Sequence, residues 1–125
     1  TFIADKTTSI RQLSVYENIM IWKKCFLSDV SYGQIKNILS ILDLDSMLNS
    51  RVNTLSLGEM KKLELLRLII ENKKIWILDE PFNNLDKNSV NLIEQTFSDH
   101  CNKNGSIIFS SHHDPNVRLS EEINL

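Results

Sequence analysis

Three side chains capable of acid, base or cation chemistry stand at the ends of two short apolar runs. Asp79 and Glu80 follow the run that starts at Ile75, and His112 follows the run that starts at Ser106. Carboxylates bind cations and move protons, and an imidazole exchanges protons near neutral pH. Ligands of open α/β sheets lie beyond the carboxyl ends of the strands, so these side chains indicate a reaction site at that edge. Taken singly, each of them is more often a solvated loop residue or a helix cap.

A serine and a glycine mark a second place where chemistry could occur. Ser56 and Gly58 stand where a helix starts, and there the unpaired backbone N–H groups and the helix dipole favour an anion by about 0.3–1 kcal/mol. Serine is also a common N-cap, and Asp86 can cap the helix that follows it. The fixed order of a serine-glycine turn, an acidic strand end, an Asn-Asn-Leu-Asp turn and a histidine strand end favours a functional role over separate structural ones.

The elements that must position these side chains are buried strands and the helices between them. Residues 1–5 are typical of the end of a strand, and the runs at 75–78 and 106–111 are typical of buried parallel strands. The leucine-rich segment 59–72 has little polar face in its second half, which predicts a helix buried between other elements. Strand, helix and strand in this order predict an α/β fold with a parallel sheet.

Two capping boxes predict helices in the first half of the chain. The segments 14–17 and 31–34 both fit the pattern in which a serine and a glutamate or glutamine cap a helix reciprocally. Met20 falls on the helical stripe after the first box and is expected in the core. Arg67 lies in the apolar helix 59–72, where a buried ion pair is its expected role.

Composition limits the remaining possibilities. The chain has 125 residues, 42% of them hydrophobic, which is enough for one modest core but not for two full domains. Its 14 Lys and Arg against 16 Asp and Glu give a net charge of -2, which lacks the basic excess of nucleic-acid-binding domains. Cys25 and Cys101 are far apart in the sequence and form no zinc or disulfide pattern. No stretch approaches the roughly 20 apolar residues needed to cross a bilayer.

The order and spacing of these motifs resemble those of the ATP-binding-cassette (ABC) ATPases, the nucleotide-hydrolysing subunits of ABC transporters. Residues 55–59 are similar to the family signature LSGGQ, and residues 75–81 are similar to its Walker B strand. Residues 83–86 resemble the D-loop, Ser111-His112 resembles the H-loop, and residues 13–19 resemble the start of the helical subdomain. The resemblance implies an α/β P-loop NTPase core with parallel strands and an α-helical signature subdomain.

The same resemblance implies how the chain is organised. All 125 residues would form a partial ABC ATPase domain, with the helical subdomain at about 13–72 and parts of the catalytic core at 1–12 and 73–125. Lys6 stands where the family has the glutamine of its glutamine loop. In the signature, Leu57 replaces a glycine and Glu59 replaces a glutamine.

One family motif is missing from these residues. The Walker A loop, G-x-x-x-x-G-K-[ST], needs two glycines five positions apart, and the only glycines are Gly33, Gly58 and Gly105. The resemblance therefore places the phosphate-cradling loop before Thr1, and it implies that the fragment alone does not hydrolyse ATP.

The resemblance also implies a role for each strand-end side chain. Asp79 would hold Mg²⁺, Glu80 would polarise the attacking water, and His112 would contact the γ-phosphate of ATP. His113 is expected to be a surface or packing residue, since the motif uses one histidine. ATP and Mg²⁺ are the implied cofactors.

Ser56, Gly58 and Asp86 would lie at a subunit interface. In the family, two ATPase subunits sandwich ATP head to tail, so signature residues act on the nucleotide of the second subunit. The implied partners are that second ATPase and integral membrane transporter subunits, with no nucleic acid and no membrane span in this chain. Residues 76–82 are most similar to the ATPase of the cytochrome c biogenesis haem exporter. Export of haem and a peripheral position on the cytoplasmic face of the inner membrane are therefore expected.

Three other classes fit part of the pattern. The ATPase heads of chromosome-maintenance and DNA-repair proteins often carry LSGGE, which Glu59 would match, but the chain has no long heptad arm. A remnant without hydrolytic activity could keep the signature face as a partner surface. A metal hydrolase could combine the strand-end residues already named with His113 and Asp114, although that reading leaves the serine-glycine turn unexplained.

Overall fold

The computed structural model describes residues 1–3 and 8–112, which form three strands and four α-helices. The chain order is β1 (Phe2–Ile3), α1 (Val15–Cys25), α2 (Tyr32–Ile41), α3 (Leu57–Glu71), β2 (Ile75–Asp79), α4 (Lys87–Asn102) and β3 (Ser106–Ser110). Two single 3-10 turns, Asp45–Met47 and Val52–Thr54, connect α2 to α3. None of the helices in these described ranges is long and apolar enough to cross a membrane.

The three strands form one parallel sheet in the order β1-β2-β3. Phe2 pairs with Ile77, which pairs in turn with Ile108, and Asp79 pairs with Ser110. Because all strands run the same way, the carboxyl ends of β2 and β3 meet at one edge. The expected α/β fold with parallel strands is confirmed, and β3 ends one residue earlier than the sequence predicted.

Serine side chains start the first three helices. Each serine accepts a hydrogen bond from the backbone N–H three residues on, and the side chain of that residue accepts one from the serine N–H. The pairs are Ser14 with Glu17, Ser31 with Gln34, and Ser56 with Glu59. Helix α3 begins two residues earlier than predicted because Ser56 acts as its cap, so residues 57 and 58 already belong to its first turn.

Helix α3 separates two hydrophobic clusters. Leu63, Leu66 and Ile70 face one cluster, which is built with α1 and α2. Leu65 and Leu68 face the other, which lies between the sheet and α4. The prediction that this helix is buried between other elements is confirmed. Residues of α3 thus contribute to both clusters.

The buried face of α1 differs from the predicted stripe. Met20 is 41% exposed, so its expected place in the core is wrong, while Val15, Ile19 and Trp22 are buried. The reason is Asn18, which is also buried and whose amide exchanges two hydrogen bonds with the backbone of Ile10, at 2.8 and 3.1 Å. Satisfying that polar side chain turns the helix by about one residue relative to an apolar-only stripe.

Arg67 lies at the centre of a buried ion network on α3. Its guanidinium pairs with Glu64 at 3.2 Å and with Glu71 at 2.8 Å, and it donates to the carbonyl oxygen of Phe2 at 2.8 Å. Glu64 also accepts from the backbone N–H groups of Thr8 and Ser9, at 3.0 and 2.8 Å. The predicted buried ion pair is confirmed, and the network holds β1 and residues 8–9 onto α3.

His100 fills the space between the sheet and the end of α4. Its ring stacks on the Trp76 indole with 3.7 Å between centroids and 12° between planes. Its Nε2 lies 3.1 Å from the carbonyl oxygen of Lys74, so that nitrogen carries the proton. A Cβ at Gly105 would lie 2.2 Å from the same nitrogen, so only glycine fits beneath the ring. Burial is the main cause that lowers the pKa of His100, against the hydrogen bond to Lys74, which raises it.

This packing predicts that stability falls in mild acid. The pKa of His100 is lower in the folded chain than its ordinary value of about 6.5, so below that pH the unfolded chain binds the extra proton more readily. The free energy of unfolding should therefore decrease as pH falls from 7.5 to 5.5, and His100→Gln should reduce that decrease. Urea unfolding of both proteins at the two pH values measures it. An equal decrease in both would contradict the prediction.

One face of the sheet carries exposed apolar side chains. Phe2, Ile77 and Ile108 form a row across the three strands and are 58%, 44% and 63% exposed, and Ile75 beside them is 56% exposed. Parallel sheets are normally covered on both faces. We call these four residues the open sheet face.

Candidate functional site

The ends of β2 and β3 bring the acidic residues together through one hydroxyl group. Ser110 donates to Oδ1 of Asp79 at 2.7 Å and accepts from the backbone N–H of Glu80 at 3.2 Å. One serine thus orients the carboxylate at the end of β2 and fixes the backbone of the residue that follows. Ser110 was not singled out from the sequence, although a hydroxyl residue facing the acids across paired strand ends is the signal that could have found it.

Glu80 turns away from the strand to meet His112. Its φ of 45° lies in the left-handed region, which non-glycine residues rarely occupy and which often marks a functional site. The backbone N–H of His112 donates to Oε2 of Glu80 at 3.4 Å, and the ring Nε2 lies 3.3 Å from Oε1. The Glu80 side chain is 15% exposed and that of His112 is 93% exposed. A mostly buried carboxylate with a solvent-facing imidazole beside it is suited to binding and polarising a water molecule.

Residues 55–59 form what we call the signature turn, and its serine is hydrogen-bonded to the helix that it starts. Ser56 donates to Oε2 of Glu59 from its backbone N–H at 2.7 Å and from its hydroxyl at 2.8 Å. These hydrogen bonds, the backbone one first, lower the pKa of Glu59. Leu57 is 68% exposed, so its bulk points into solvent and not under the helix end. The anion at the start of α3 is therefore the carboxylate of Glu59.

Gly58 is packed against the turn that follows the acids. A Cβ at this position would lie 2.6 Å from the backbone carbonyl oxygen of Asn84. The backbone of Asn84 is in the left-handed region, with φ at 62°. Real Cβ atoms essentially never come so close, and a backbone atom in a tight turn cannot step aside cheaply. The absence of a side chain at Gly58 is what lets the first turn of α3 touch residues 83–86.

Gly58→Ala should therefore destabilise the chain. Overpacking of this kind typically costs about 1–3 kcal/mol. Gly33→Ala is the matched control, because Gly33 has the same place in the first turn of α2 and its added Cβ would meet only the Ser31 hydroxyl at 3.9 Å. That control should be neutral or stabilising by up to about 1 kcal/mol. Urea unfolding of the two variants measures the difference, and equal effects would contradict the close contact.

Asp86 caps α4 and is paired with a lysine of α3. Its two carboxylate oxygens accept from the backbone N–H and the hydroxyl of Ser89, each at 2.9 Å. Lys62 lies 2.7 Å from Oδ2 of the same carboxylate. The hydrogen bond from Lys62 is the main cause that holds the pKa of Asp86 far below its ordinary value, followed by those from Ser89. These contacts therefore favour the ionised form of Asp86.

The predicted residues fall into two groups at neighbouring places in the fold. Asp79, Glu80 and His112 meet at the ends of β2 and β3, joined by hydrogen bonds. Ser56, Gly58 and Asp86 lie at the start of α3 and in the turn it touches. Lys6, His113 and Asp114 lie outside the described residues.

A metal-hydrolase centre needs several ligands in one place. Among residues 1–3 and 8–112, no three His, Cys, Asp or Glu side chains are grouped so that they could hold a metal ion by themselves.

Comparison with known sequences identifies the protein family of this chain. The sequence profile of the ABC transporter family matches residues 1–83, which is well over half of the chain. The chain therefore belongs to the ABC transporter family, and the family resemblance inferred from its motifs is confirmed; the match includes the signature and Walker B segments. Its fold is accordingly the α/β fold of the P-loop NTPases.

Within this family, the chain is similar to several individual curated proteins. The cytochrome c biogenesis ATP-binding export protein CcmA of Reclinomonas americana is 34% identical over 120 residues, which cover 94% of this chain and 54% of the relative. The protein of the same name from Idiomarina loihiensis is 36% identical over 113 residues, covering 89% of this chain and 50% of the relative. The chain spans about half the length of the curated relatives it matches.

A solved structure agrees with the family assignment at the level of the fold. An ATP-binding subunit of an ABC transporter superposes with a TM-score of 0.76 at 17% sequence identity, over 89% of this chain and 48% of that structure. At that identity the likeness concerns the arrangement of strands and helices. It confirms that the parallel sheet and the helices packed on α3 are the ABC ATPase fold.

Proposed function

We propose that this chain is part of the ATP-hydrolysing subunit of an ABC transporter of the cytochrome c biogenesis type. The observation that carries the proposal is the meeting of Asp79, Glu80 and His112 at the carboxyl ends of β2 and β3. The curated relatives named as cytochrome c biogenesis export proteins support the choice of transporter class.

The donor set at the end of β2 fits Mg²⁺. The carboxylate of Asp79 and the hydroxyl of Ser110 beside it are hard oxygen donors, and Mg²⁺ is usually bound by one or two carboxylates together with water and phosphate oxygens. Asp79 is the residue that would hold the ion, and Ser110 would orient its carboxylate. The ion itself would neutralise charge that develops on the phosphates.

Glu80 and His112 would act on the attacking water. The backbone N–H of His112 donates to the Glu80 carboxylate, and that carboxylate is mostly shielded from solvent. Both features fix the direction in which the carboxylate can accept a hydrogen bond. It would accept a hydrogen bond from water and orient it, while the exposed imidazole of His112 would contact the terminal phosphate. ATP is the substrate proposed for both residues.

The phosphate-cradling loop would come from outside these 125 residues, on the same polypeptide or on another. No G-x-x-x-x-G-K-[ST] sequence occurs in the chain, and the curated relatives are about twice its length. The open sheet face supports this proposal, because a row of apolar side chains across parallel strands needs a cover. By the complete subunit we mean this chain together with such a loop-bearing segment.

The remaining parts of the proposal concern partners. The signature turn at Ser56 and Gly58 would face the ATP of a second ATPase subunit, with Asp86 ordering the interface between the two. Integral membrane subunits would complete the transporter, so the chain would lie peripherally on the cytoplasmic face of the inner membrane. Haem is the proposed cargo, and residues 13–50 would form much of the surface that docks the membrane subunits.

Binding of ATP in a mixture tests the proposal. An intact relative that carries its own phosphate loop is titrated with ATP, alone and with an excess of this chain. We expect little ATP binding by this chain alone, and we expect its addition to tighten binding by the relative about tenfold, as one added charge-assisted contact would. Ser56→Ala should abolish that gain.

Ser31→Ala is the matched control for this experiment. Ser31 forms the same capping box at α2, so its loss costs a helix cap without touching the signature turn. The gain in ATP affinity should survive it. A gain that disappears equally in both variants, or no gain with the parent chain, would contradict the proposed role of the signature turn.

A further inference from the structure

The signature helix α3 touches the segment 79–86 at three points. At the first, Gly58 lies against the carbonyl oxygen of Asn84. At the second, Lys61 donates from Nζ to the carbonyl oxygen of Asp79 at 3.2 Å. At the third, Lys62 pairs with Asp86 at 2.7 Å. These contacts reach the start, middle and end of the segment that carries both proposed catalytic acids.

The two lysines are largely shielded from solvent, which favours a structural role over one in solubility. Lys61 is 8% exposed and the side chain of Lys62 is 13% exposed, whereas lysines on helix surfaces normally extend into water. An ammonium group so shielded from solvent is retained where its charge has a fixed partner. The Asp86 side chain that pairs with Lys62 is itself 53% exposed, so this ion pair lies at the surface of the protein and not in its core. For Lys62 that partner is the carboxylate that also caps α4, so one ion pair joins α3 to α4.

The segment between the two ends needs such support. Glu80 and Asn84 both have positive φ, at 45° and 62°, a region that asparagine tolerates but that is strained for a glutamate. Contacts at both ends hold the strained turn in a single conformation. Loss of one of them would let the turn relax and would move Glu80 away from His112.

We propose that Lys62 is a positioning residue of the ATPase site, whose ion pair with Asp86 joins the signature helix to the acidic segment so that both move as one body. The inference rests on the proposed function. It implies that contact of the signature turn with a second subunit also sets the position of Glu80, so that the chain's own site reaches its working geometry when the interface forms.

Lys62→Met tests the inference by two measurements. In the chain alone, amide hydrogen exchange over residues 83–86 should become about tenfold faster, because the turn loses its tie to α3. In the complete subunit, the kcat for ATP hydrolysis should fall about ten- to a hundredfold, because misplacement of a catalytic group by about 1 Å has that effect, while the KM for ATP stays within about twofold.

Two further variants separate positioning from stability alone. Lys62→Arg keeps the charge and the reach and should restore most of kcat. Lys103→Met removes an exposed lysine just after α4 for which the described part of the chain shows no ion pair, and it should change neither exchange nor kcat. A merely structural role would lower the unfolding midpoint of Lys62→Met without changing kcat in the folded protein.

The outcomes distinguish this inference from the proposed function. An active parent subunit together with an equally active Lys62→Met variant overturns the inference and leaves the function standing. A complete parent subunit that does not hydrolyse ATP overturns the proposed function, and the inference fails with it. Unchanged hydrogen exchange over residues 83–86 also overturns the inference, whatever the activity.

Discussion

Glu80→Gln is expected to slow ATP hydrolysis by the complete subunit about 10²- to 10⁴-fold, with ATP affinity nearly unchanged. Removal of a positioned general base has this magnitude, and glutamine keeps the size and one acceptor oxygen of the glutamate. The hydrogen bond from the backbone N–H of His112 can therefore persist, so the side chain keeps its position. What is lost is the negative charge of residue 80, which would polarise the attacking water. Steady-state hydrolysis together with equilibrium binding of ATP measures the two effects separately.

Asp99→Asn is the control for the loss of one negative charge. Asp99 is exposed on α4, away from the strand ends, and its substitution should leave hydrolysis within about twofold of the parent. If Glu80→Gln turned over ATP at the parent rate, Glu80 would have no part in activating water. If both affinity and rate fell together, its role would be in binding.

Arg67→Met is expected to cause the largest loss of stability, about 3–5 kcal/mol. The substitution leaves Glu64 and Glu71 buried, at 3% and 8% exposure, without the cation between them, and breaking a buried ion pair from one side has this cost. It also removes the hydrogen bond that holds the backbone of Phe2. Since domains are stable by only about 5–15 kcal/mol, much of the folded population could be lost at body temperature.

Chemical unfolding of the 125-residue chain measures the effect, with Arg11→Met as control. Arg11 is exposed, so its loss should change the free energy of unfolding by less than about 0.5 kcal/mol. Arg67→Lys supplies an intermediate, because lysine keeps the charge but cannot reach three acceptors at once. Comparable unfolding midpoints for Arg67→Met and the control would show that the network contributes no net stability.

Local patterns were sufficient to predict most of the elements. The capping boxes at Ser14 and Ser31 predicted the first two helices because both partners of each cap lie within four residues. The short apolar runs at 75–78 and 106–111, with a helix between them, predicted buried parallel strands. These signals are encoded over short distances, where sequence order and spatial order agree.

Contacts between distant residues were not predictable in the same way. Met20 was placed in the core because an apolar stripe passes through it, whereas the hydrogen bonds of Asn18 to the loop at Ile10 set the actual face. Ser110 and Lys62 carried no motif. Their partners lie 31 and 24 residues away and are reached only once the sheet and α3 have packed. The roles of such residues depend on the fold, and only for Ser110 does the pairing of predicted strand ends offer a signal in the sequence.

The same division applies to the candidate site. The motif order predicted which residues would carry the chemistry, and the strand register explains why Asp79, Glu80 and His112 share an edge. It did not predict that the signature serine is bound by Glu59, because a capping box and an anion site have the same sequence signature until side-chain positions are known.

The open sheet face has a consequence for how such a polypeptide behaves in the cell. An uncovered row of Phe2, Ile77 and Ile108 on parallel strands is a surface to which other nascent chains and other copies adhere. Wherever these side chains stay uncovered, we therefore expect the chain to precipitate or to be captured by chaperones.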